Sequence, residues 1–314
     1  MTCRVAMVGG RGYVGAELMA MLWRHSQFHV CSVASRGHAG KLVCQELGEL
    51  CAPDLRFSAS DPEHVLNDDI DVYVLALPNG EAARWVAAIE SQQQQALVVD
   101  LSADYRVDSA WCYGLPELFR SNIRQARRIA NPGCYATAAL LALWPYRAYL
   151  CSSAEVFAVS GYSGAGRVAN ERNQLDALQD NIRPYALANH VHQQELSHYL
   201  DAAVHLMPHV AGFFRGLSVT ISAELSVDLQ HAKRSLLDCY RDEPLIKLSD
   251  QASEPSWVRG QPHVAIGSPV VDKNSRRTVL TAALDNLSKG AASQALQNMN
   301  LAIGFTELDG VVVS

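Results

Sequence analysis

The residue best suited to covalent chemistry is Cys134, which follows a Pro-Gly pair and precedes an apolar run of helical length. The first turn of a helix carries unpaired backbone N–H groups and the positive end of the helix dipole. A thiol held there ionises more readily, and the thiolate is the form that attacks carbon. The same N–H groups can hold a developing oxyanion. The pattern predicts a cysteine nucleophile; the alternative is a buried cysteine acting as a small hydrophobe.

A cysteine nucleophile usually needs a base, and the only local histidine cluster lies in the segment His-Val-His-Gln-Gln-Glu (190–195). On an extended segment, His190 and His192 would point to opposite faces, so only one would face Cys134. We favour His192 as the acid/base, although the sequence does little to separate the two. A surface histidine pair without function and half of a metal site are the alternatives. No further ligand set at suitable spacing supports a metal, so none is predicted.

Two arginines are candidates for holding an anionic substrate, since a guanidinium binds carboxylate or phosphate through two parallel hydrogen bonds. Arg106 follows a predicted strand, and Arg167 closes the segment Ser-Gly-Tyr-Ser-Gly-Ala-Gly-Arg (160–167). Taken alone, each can equally be a surface or ion-pair residue.

A glycine-rich loop near the N-terminus predicts a dinucleotide site. Gly10, Gly12 and Gly15 fit the pattern G-x-G-x-x-G between an apolar strand (5–8) and a strong helix-forming segment (16–22). Glycine permits the tight turn and lets a pyrophosphate approach the backbone at the helix N-terminus. A glycine-rich turn that binds nothing is the alternative.

The second predicted strand ends in Ser35-Arg36, about twenty residues beyond the glycine-rich loop. An acidic residue at this place would bind a ribose 2′-hydroxyl, whereas an arginine accommodates a 2′-phosphate. The pair therefore favours NADP over NAD. The alternative is an exposed Ser-Arg pair in a loop, without a role in cofactor binding.

The elements that position these residues alternate in the first 130 residues, where strand-like runs (5–8, 30–34, 72–76 and 97–100) are separated by helical patterns. Two of the runs end in polar loops (77–80 and 100–106) expected at the carboxyl edge of a parallel sheet, where ligands bind. After Cys134, strand-like stretches (155–160, 216–225 and 278–283) alternate better and are more widely spaced. They predict a mixed or antiparallel sheet with helices packed on it, and a further helix is predicted over 291–301. The fold class is α/β, with a Rossmann domain and a second α+β domain.

Composition sets limits on the class of protein. The chain has 314 residues, 49% of them hydrophobic and 18% charged, with a formal net charge of −6. That length allows two domains with sizeable cores, and the negative charge argues against a nucleic-acid partner. The eight cysteines form no C-x-x-C pair, no apolar stretch reaches membrane-spanning length, and no secretory signal is evident. We therefore expect a cytoplasmic protein with reduced thiols and no membrane partner.

Taken together, these segments resemble the N-acetyl-γ-glutamyl-phosphate reductases of arginine biosynthesis, over nearly the whole chain. The family's active-site cysteine pattern fits residues 129–145 at every defined position, and the family's cofactor loop is similar to residues 9–18. Further similar segments are 101–106, 113–118, 163–167, 208–209, 215–216 and 285–291. The family usually has His-x-His-x-Pro-Glu where this chain has His190 to Glu195, so Gln194 stands in place of proline and puts the rigidity of that loop in question.

The resemblance implies a fold like that of aspartate-semialdehyde dehydrogenase, assembled as a homodimer or homotetramer. It implies an NADP-binding domain over 1–133, joined by the C-terminal segment 285–314, and a catalytic and oligomerisation domain over 134–284. Glu195 is expected to bind substrate together with Arg106 and Arg167. The expected cofactor contacts are Gly10, Arg11, Gly12, Tyr13, Val14, Gly15, Ser35, Arg36, Pro78, Ser163 and Gly164.

The expected reaction is reduction of an acyl phosphate with release of inorganic phosphate. Cys134 would form a thioester with N-acetyl-glutamyl phosphate, and NADPH would reduce it to N-acetyl-glutamate semialdehyde, while a histidine takes the thiol proton and later returns one. The motifs fix this chemistry better than the acyl group, so aspartyl phosphate or a carrier-linked aminoadipyl phosphate is the alternative substrate. A silent NADP-binding regulator would be expected to lose the cysteine or the histidines, and this chain retains them.

Overall fold

The computed structural model describes residues 2–48, 52–67, 69–272, 275 and 277–311. The chain divides into two compact units, one comprising 1–132 with 291–313 and the other comprising 133–290. None of the helices in these described ranges is long and apolar enough to cross a membrane.

The first unit is built on a parallel sheet. Its strands are β1 (Cys3–Val8), β2 (Phe28–Ala34), β3 (Phe57–Ser58), β4 (Val72–Leu75), β5 (Leu97–Asp100), β6 (Cys112–Tyr113) and β7 (Arg128–Ala130). Its helices are α1 (Tyr13–Arg24), α2 (Val43–Leu47), α3 (Pro62–Val65), α4 (Ala83–Gln92) and α5 (Pro116–Ile123). The strand order is β3-β2-β1-β4-β5-β7-β6, and every neighbouring pair is parallel. The order reverses at β1, so the loops after β1, β2 and β4 meet at the edge where a dinucleotide binds in such folds.

The second unit is built on a mixed sheet. Its strands are β8 (Ala154–Gly161), β9 (Ile182–Pro184), β10 (Val204–Ala211), β11 (Leu217–Glu224), β12 (Ile246–Ser249), β13 (Val264–Gly267), β14 (Val270–Val271) and β15 (Arg277–Leu284). Its helices are α6 (Cys134–Leu143), α7 (Leu175–Leu178), α8 (Val191–Leu200), α9 (Leu229–Tyr240) and α10 (Pro255–Val258), with two 3-10 segments (Trp144–Tyr149 and Tyr162–Ala165). The order is β12-β13-β15-β11-β8-β10-β9, with β14 on β15. The predicted mixed sheet is confirmed: β8/β10 and β12/β13 are parallel and the other pairs antiparallel.

The core of the second unit forms around α6, whose residues from Tyr135 to Leu143 are all buried. α6 packs on α8, β11 and β15. A helix that is apolar on every side has to be surrounded by protein. The one residue of α6 that is not buried is therefore its first, Cys134.

The C-terminal boundary between the two units differs from the predicted one. A π-helix (Ser288–Ala292) precedes α11 (Ser293–Ile303), and the chain joins the first unit only from 291, not from 285. Residues 285–290 stay with the second unit because Asp285 accepts two hydrogen bonds from the Arg215 guanidinium, at 2.6 and 3.0 Å, and one from the Gly260 N–H. The other boundary, observed at 132/133, differs by one residue from the one predicted.

Candidate active site

The nucleophile candidate lies at the start of a helix, as predicted. Gly133 is the N-cap of α6 and Cys134 is its first residue, half-buried. The first turn of α6 holds no acidic residue. Cys134 therefore lies at the positive end of the helix dipole and is not fully buried.

The other cysteines lie in different surroundings. Burial raises the pKa of four of them: Cys3, Cys31, Cys112 and Cys239. The pKa rises to about 12 for Cys3 and to about 11 for Cys112. Such thiols stay protonated at neutral pH and are poor nucleophiles. Cys51 lies outside the described residues.

Glu195 links α8 to the start of α6. Its side chain is buried, with 1% exposed, and its Oε1 accepts a hydrogen bond of 2.8 Å from the Gly133 N–H. The resemblance implies that Glu195 binds substrate; in the structure one of its oxygens binds the backbone N–H of the residue before Cys134. A thiolate at Cys134 adds a second negative charge to this region, so a nearby cation is needed to stabilise it.

The two histidines do not lie on an extended segment, and the expectation that they point to opposite faces is wrong. His190 is the N-cap of α8 and His192 lies in its first turn, with the ring centroids 4.7 Å apart. The side chains converge because Nδ1 of His190 accepts a hydrogen bond of 3.2 Å from the His192 N–H. Gln194 belongs to the same helix, whose backbone hydrogen bonds give the rigidity that proline would give a loop.

The bond that caps α8 separates the chemistry of the two rings. Because Nδ1 of His190 is an acceptor, the ring proton of His190 lies on Nε2, which makes Nε2 a hydrogen-bond donor. Protonating Nδ1 of His190 would remove the cap. His192 is not the N-cap, so a proton taken up by its ring would leave the cap of α8 in place.

Two tyrosines complete this cluster, and sequence reasoning did not identify them. The Tyr135 ring lies 6.2 Å from the His190 ring, and its hydroxyl donates a hydrogen bond of 2.8 Å to a main-chain carbonyl of β10. The Tyr185 ring lies 5.7 Å from the His190 ring. Burial, with a smaller contribution from the neighbouring charge of Cys134, raises the pKa of Tyr185 to about 12. Tyr135 directly follows Cys134 in the segment 129–145, whereas Tyr185 has no sequence signal.

Gly290 lies close to the candidate nucleophile. A Cβ at position 290 would lie 2.8 Å from the Cys134 Cβ, 3.0 Å from the Leu284 Cδ1 and 3.2 Å from the Asp285 carbonyl oxygen. No larger residue fits this place without displacing Cys134. The C-terminal segment 285–291 of the resemblance thus has a physical role beside the nucleophile.

The remaining candidates of the second unit lie near the end of β8. Ser163 is buried, and its Oγ accepts a hydrogen bond of 2.9 Å from Nδ2 of Asn286, whose Oδ1 accepts one of 2.7 Å from the Gly216 N–H. Gly164 and Arg167 are exposed. Their predicted cofactor and substrate contacts stay predictions.

In the first unit, the glycines of the N-terminal loop serve different purposes. A Cβ on Gly10 would lie 2.6 Å from Val33, and a Cβ on Gly15 would lie 2.8 Å from Gly10, so both are needed for packing of strand, loop and helix. At Gly12 the nearest protein atom to such a Cβ is 3.8 Å away, so the space beside its backbone is open. An open approach at the N-cap of α1 suits a pyrophosphate.

The first turn of α1 supplies the other predicted contacts of this loop. Gly12 is the N-cap, Tyr13 and Val14 open the helix, and Arg11 precedes the cap. The first turn has no acidic residue, and its N-cap, a glycine, makes no side-chain cap. These features fit an anion at the helix N-terminus.

The end of β2 holds a feature that the sequence does not reveal. Ser35 is buried, and Nη2 of Arg36 lies 2.7 Å from Oε2 of Glu81, a residue of the loop that leads into α4. The Gly9 N–H donates a hydrogen bond of 2.9 Å to the Ala34 carbonyl, so the end of β2 is bonded to the glycine-rich loop. Pro78, in the loop after β4, is exposed.

Arg106 is more enclosed than a substrate-binding arginine at a surface would be. It is 8% exposed, and its guanidinium donates to the main-chain carbonyls of Asn131, at 2.9 Å, and Leu101, at 3.0 Å. A substrate anion would compete with these carbonyl groups for the guanidinium. The predicted contact of Arg106 with substrate stays a prediction.

The two polar loops predicted at the carboxyl edge are joined to each other. The Asp104 carboxylate accepts hydrogen bonds from the N–H groups of Gly80, at 2.6 Å, and Ala82, at 3.1 Å. Asn79 in turn accepts one from the Ala103 N–H, at 3.0 Å. Among the described residues, no group of three or more histidine, cysteine or acidic side chains is arranged to hold a metal ion.

Comparison with known proteins assigns each unit to a family model. Residues 4–126 match the NAD binding domain of semialdehyde dehydrogenase, and residues 134–286 match the semialdehyde dehydrogenase dimerisation domain. Among solved structures, aspartate semialdehyde dehydrogenase II of Vibrio cholerae, complexed with ASA, aligns with a TM-score of 0.76 at 19% identity, over 97% of this chain and 99% of that one. The enzyme of Candida albicans, with NADP, aligns with a TM-score of 0.71 at 13% identity, over 96% and 99%. At such identities the likeness shows the fold, and the predicted fold class is confirmed.

Curated relatives are far more similar in sequence. The N-acetyl-gamma-glutamyl-phosphate reductase of Xanthomonas campestris pv. campestris (strain B100) is 45% identical over 98% of both chains. The protein of the same name from Stenotrophomonas maltophilia (strain R551-3) is 42% identical over 99% of this chain and 98% of its own length. Identity of this extent, over a chain that carries both semialdehyde dehydrogenase domains, shows that the chain belongs to the N-acetyl-gamma-glutamyl-phosphate reductase family.

Proposed function

We propose that this protein reduces N-acetyl-glutamyl 5-phosphate to N-acetyl-glutamate 5-semialdehyde, with NADPH as reductant and release of inorganic phosphate. The observation that carries the proposal is the position of Cys134 at the N-terminus of α6, in the unit that also holds the converging rings of His190 and His192. The names of the curated relatives support the choice of acyl group.

The first half of the reaction makes a thioester. His192 takes the thiol proton, and the thiolate attacks the carbonyl carbon of the acyl phosphate. The tetrahedral oxyanion receives hydrogen bonds from the N–H groups in the first turn of α6 and from Nε2–H of His190. The carbon–oxygen bond to phosphate then breaks, and the imidazolium of His192 gives its proton to the departing phosphate.

The second half releases the aldehyde. The nicotinamide cofactor, when bound, supplies the hydride that reduces the thioester carbon. The same N–H donors hold the oxyanion of the resulting thiohemiacetal. Its carbon–sulfur bond breaks, the carbonyl forms, and the Cys134 thiolate is regenerated.

The first unit is suited to hold the cofactor. The space beside Gly12 is open, the first turn of α1 has no acidic residue, and the family model for this unit is an NAD binding domain. Arg36, at the end of β2, supports NADP over NAD because an arginine there can bind the 2′-phosphate.

We also propose that the protein works in the cytoplasm as a homo-oligomer. The second unit matches a dimerisation domain, and Phe157 of β8 is 42% exposed although it is a large apolar side chain in the middle of a sheet. Its ring lies 4.5 Å from that of His209 on β10, so the two rings form an aromatic patch suited to burial against a second copy.

The test is the reverse reaction, measured as phosphate-dependent reduction of NADP with N-acetyl-glutamate semialdehyde. Aspartate semialdehyde serves as the competing substrate. Cys134→Ser should retain NADP binding and lose nearly all turnover, because serine forms an alkoxide far less readily at neutral pH. Turnover within about tenfold of wild type, a barrier change of about 1.4 kcal/mol, would contradict the role of Cys134. Preference for aspartate semialdehyde would contradict the acyl group.

A further inference from the structure

Beside the predicted 2′-phosphate residues lies a cavity of about 270 Å³, within the first unit. Its lining includes Ser35, Arg36, Gly37, Ser60, Asp61 and Arg84. It therefore combines the loop after β2, the loop after β3 and the first turn of α4. Arg84 was not singled out by sequence reasoning, because it stands 48 residues from Arg36.

Both arginines of this cavity are held by acidic residues. Arg36 pairs with Glu81 at 2.7 Å, and Arg84 lies 3.8 Å from Asp61. One further hydrogen bond, of 3.1 Å, runs from Nη2 of Arg84 to the Ser60 carbonyl and fixes the guanidinium at the cavity wall. Two positive and two negative side chains leave the region without net charge, which is a poor environment for a dianionic phosphate unless an ion pair opens.

The two ion pairs differ in how readily they can open. The side chain of Arg36 is 72% exposed and that of Glu81 is 29% exposed, so water can solvate both when they separate. Arg84 is anchored by Ser60 as well as by Asp61 and has less freedom to move. Cofactor binding is thus expected to break the Arg36–Glu81 pair and to leave Arg84 in place.

We propose that this cavity receives the 2′-phosphate of NADP, that Arg84 is its second cationic ligand beside Arg36, and that Glu81 opposes NADP by holding Arg36. Glu81 thereby sets the preference between the two cofactors, since a carboxylate near the ribose accepts a hydrogen bond from a 2′-hydroxyl but repels a 2′-phosphate. The inference rests on the proposed use of NADP and names the residues that decide it.

The experiment compares two nucleotides that differ only in the group at issue, adenosine 2′,5′-bisphosphate and adenosine 5′-monophosphate. Their binding to the full-length protein is measured by titration calorimetry, so no turnover is needed. Arg84→Ala should weaken binding of the bisphosphate by about tenfold, as expected for a lost charge-assisted hydrogen bond, and leave the monophosphate unchanged. Glu81→Gln should strengthen binding of the bisphosphate by about threefold to fivefold, the range of an exposed ion pair.

Two control variants match these changes elsewhere in the first unit. Arg24→Ala removes one exposed positive charge at the end of α1, and Glu90→Gln breaks an ion pair of α4, with Arg128 at 3.1 Å. Neither should alter the ratio of the two affinities. Arg84→Lys keeps the charge without the planar fork and should lose less than Arg84→Ala.

Each result bears on a separate part of the inference. Unchanged bisphosphate affinity in Arg84→Ala would overturn the role of Arg84, and unchanged or weaker binding in Glu81→Gln would overturn the role of Glu81. Equal affinity of the wild-type protein for both nucleotides would overturn the 2′-phosphate site itself. The proposed reaction fails by a different observation, the absence of turnover with N-acetyl-glutamate semialdehyde and either cofactor.

Discussion

The hydrogen bond between Glu195 and the Gly133 N–H allows a test of how the nucleophile is positioned. Glu195→Ala removes the acceptor and leaves a buried N–H group at the N-cap of α6 without its partner. A lost hydrogen bond to a charged group costs about 1.5–3 kcal/mol, and Gly133 and Glu195 are both buried. We expect the free energy of unfolding of the second unit to fall by about 2 kcal/mol.

We also expect Glu195→Ala to lower activity, because Cys134 would be displaced. The bond fixes the backbone one residue before the nucleophile, and a displacement of about 1 Å at a reacting group can cost about a hundredfold in rate. We therefore expect a drop in kcat of more than about tenfold, with KM for the semialdehyde little changed. Glu195→Gln keeps an oxygen that can accept the bond, so it should lose less than 1 kcal/mol of stability, roughly the gap between charged and neutral hydrogen bonds.

Gln193 on the same helix provides a matched control. Its Oε1 accepts a hydrogen bond of 3.1 Å from the Leu206 N–H on β10, so it also joins α8 to a neighbouring backbone, but not to the N-cap of α6. Gln193→Ala should lower stability without a comparable loss of kcat. The reasoning would be refuted by a Glu195→Ala enzyme of wild-type kcat. A raised KM in both Glu195 variants would instead support the predicted contact with substrate.

Three further changes probe the same unit. Gly290→Ala should lower kcat by about tenfold or more, because its Cβ would lie 2.8 Å from that of Cys134; steady-state kinetics beside a melting curve will separate this from unfolding. Asp285→Ala should destabilise the second unit by about 3–5 kcal/mol, because the Arg215 guanidinium would lose its buried counter-charge. Urea unfolding measures this loss. His192→Asn should raise the pH at which iodoacetamide alkylates Cys134, whereas His190→Asn should leave that pH unchanged and weaken oxyanion binding; the reverse result would exchange the two roles.

The parts of this protein that could be predicted from sequence are those encoded within short segments. The strand, glycine-rich loop and helix around Gly12 follow from local spacing, and so does the helix that begins at Cys134. In each case the structure depends on residues that are neighbours along the chain: glycines that permit a tight turn, or an unbroken apolar segment that forms a buried helix. The parallel sheet of the first unit follows in the same way from the alternation of its elements.

Contacts between distant segments could not be predicted. Glu81 stands 45 residues from Arg36, and Glu195 stands 62 residues from Gly133. A single sequence gives no sign that such residues will meet, because the pairing depends on how strands and helices pack. The Ser35-Arg36 pair therefore indicates a cation for the 2′-phosphate, but it does not reveal that Glu81 binds the same cation.

The residue types alone do not separate the roles of His190 and His192, whereas one hydrogen bond to the backbone does distinguish their rings. His is not a usual N-cap residue, so nothing in the segment His-Val-His signals the start of a helix. Once His190 caps α8 through Nδ1, its ring can donate only from Nε2, while His192 is turned toward the same side and carries no cap. A thiolate that must form near the Glu195 carboxylate needs a partner able to become a cation. Taking that proton at His192 would leave the bond from the His192 N–H to Nδ1 of His190 in place, and for this reason we propose the acid/base role for His192 and the oxyanion contact for His190.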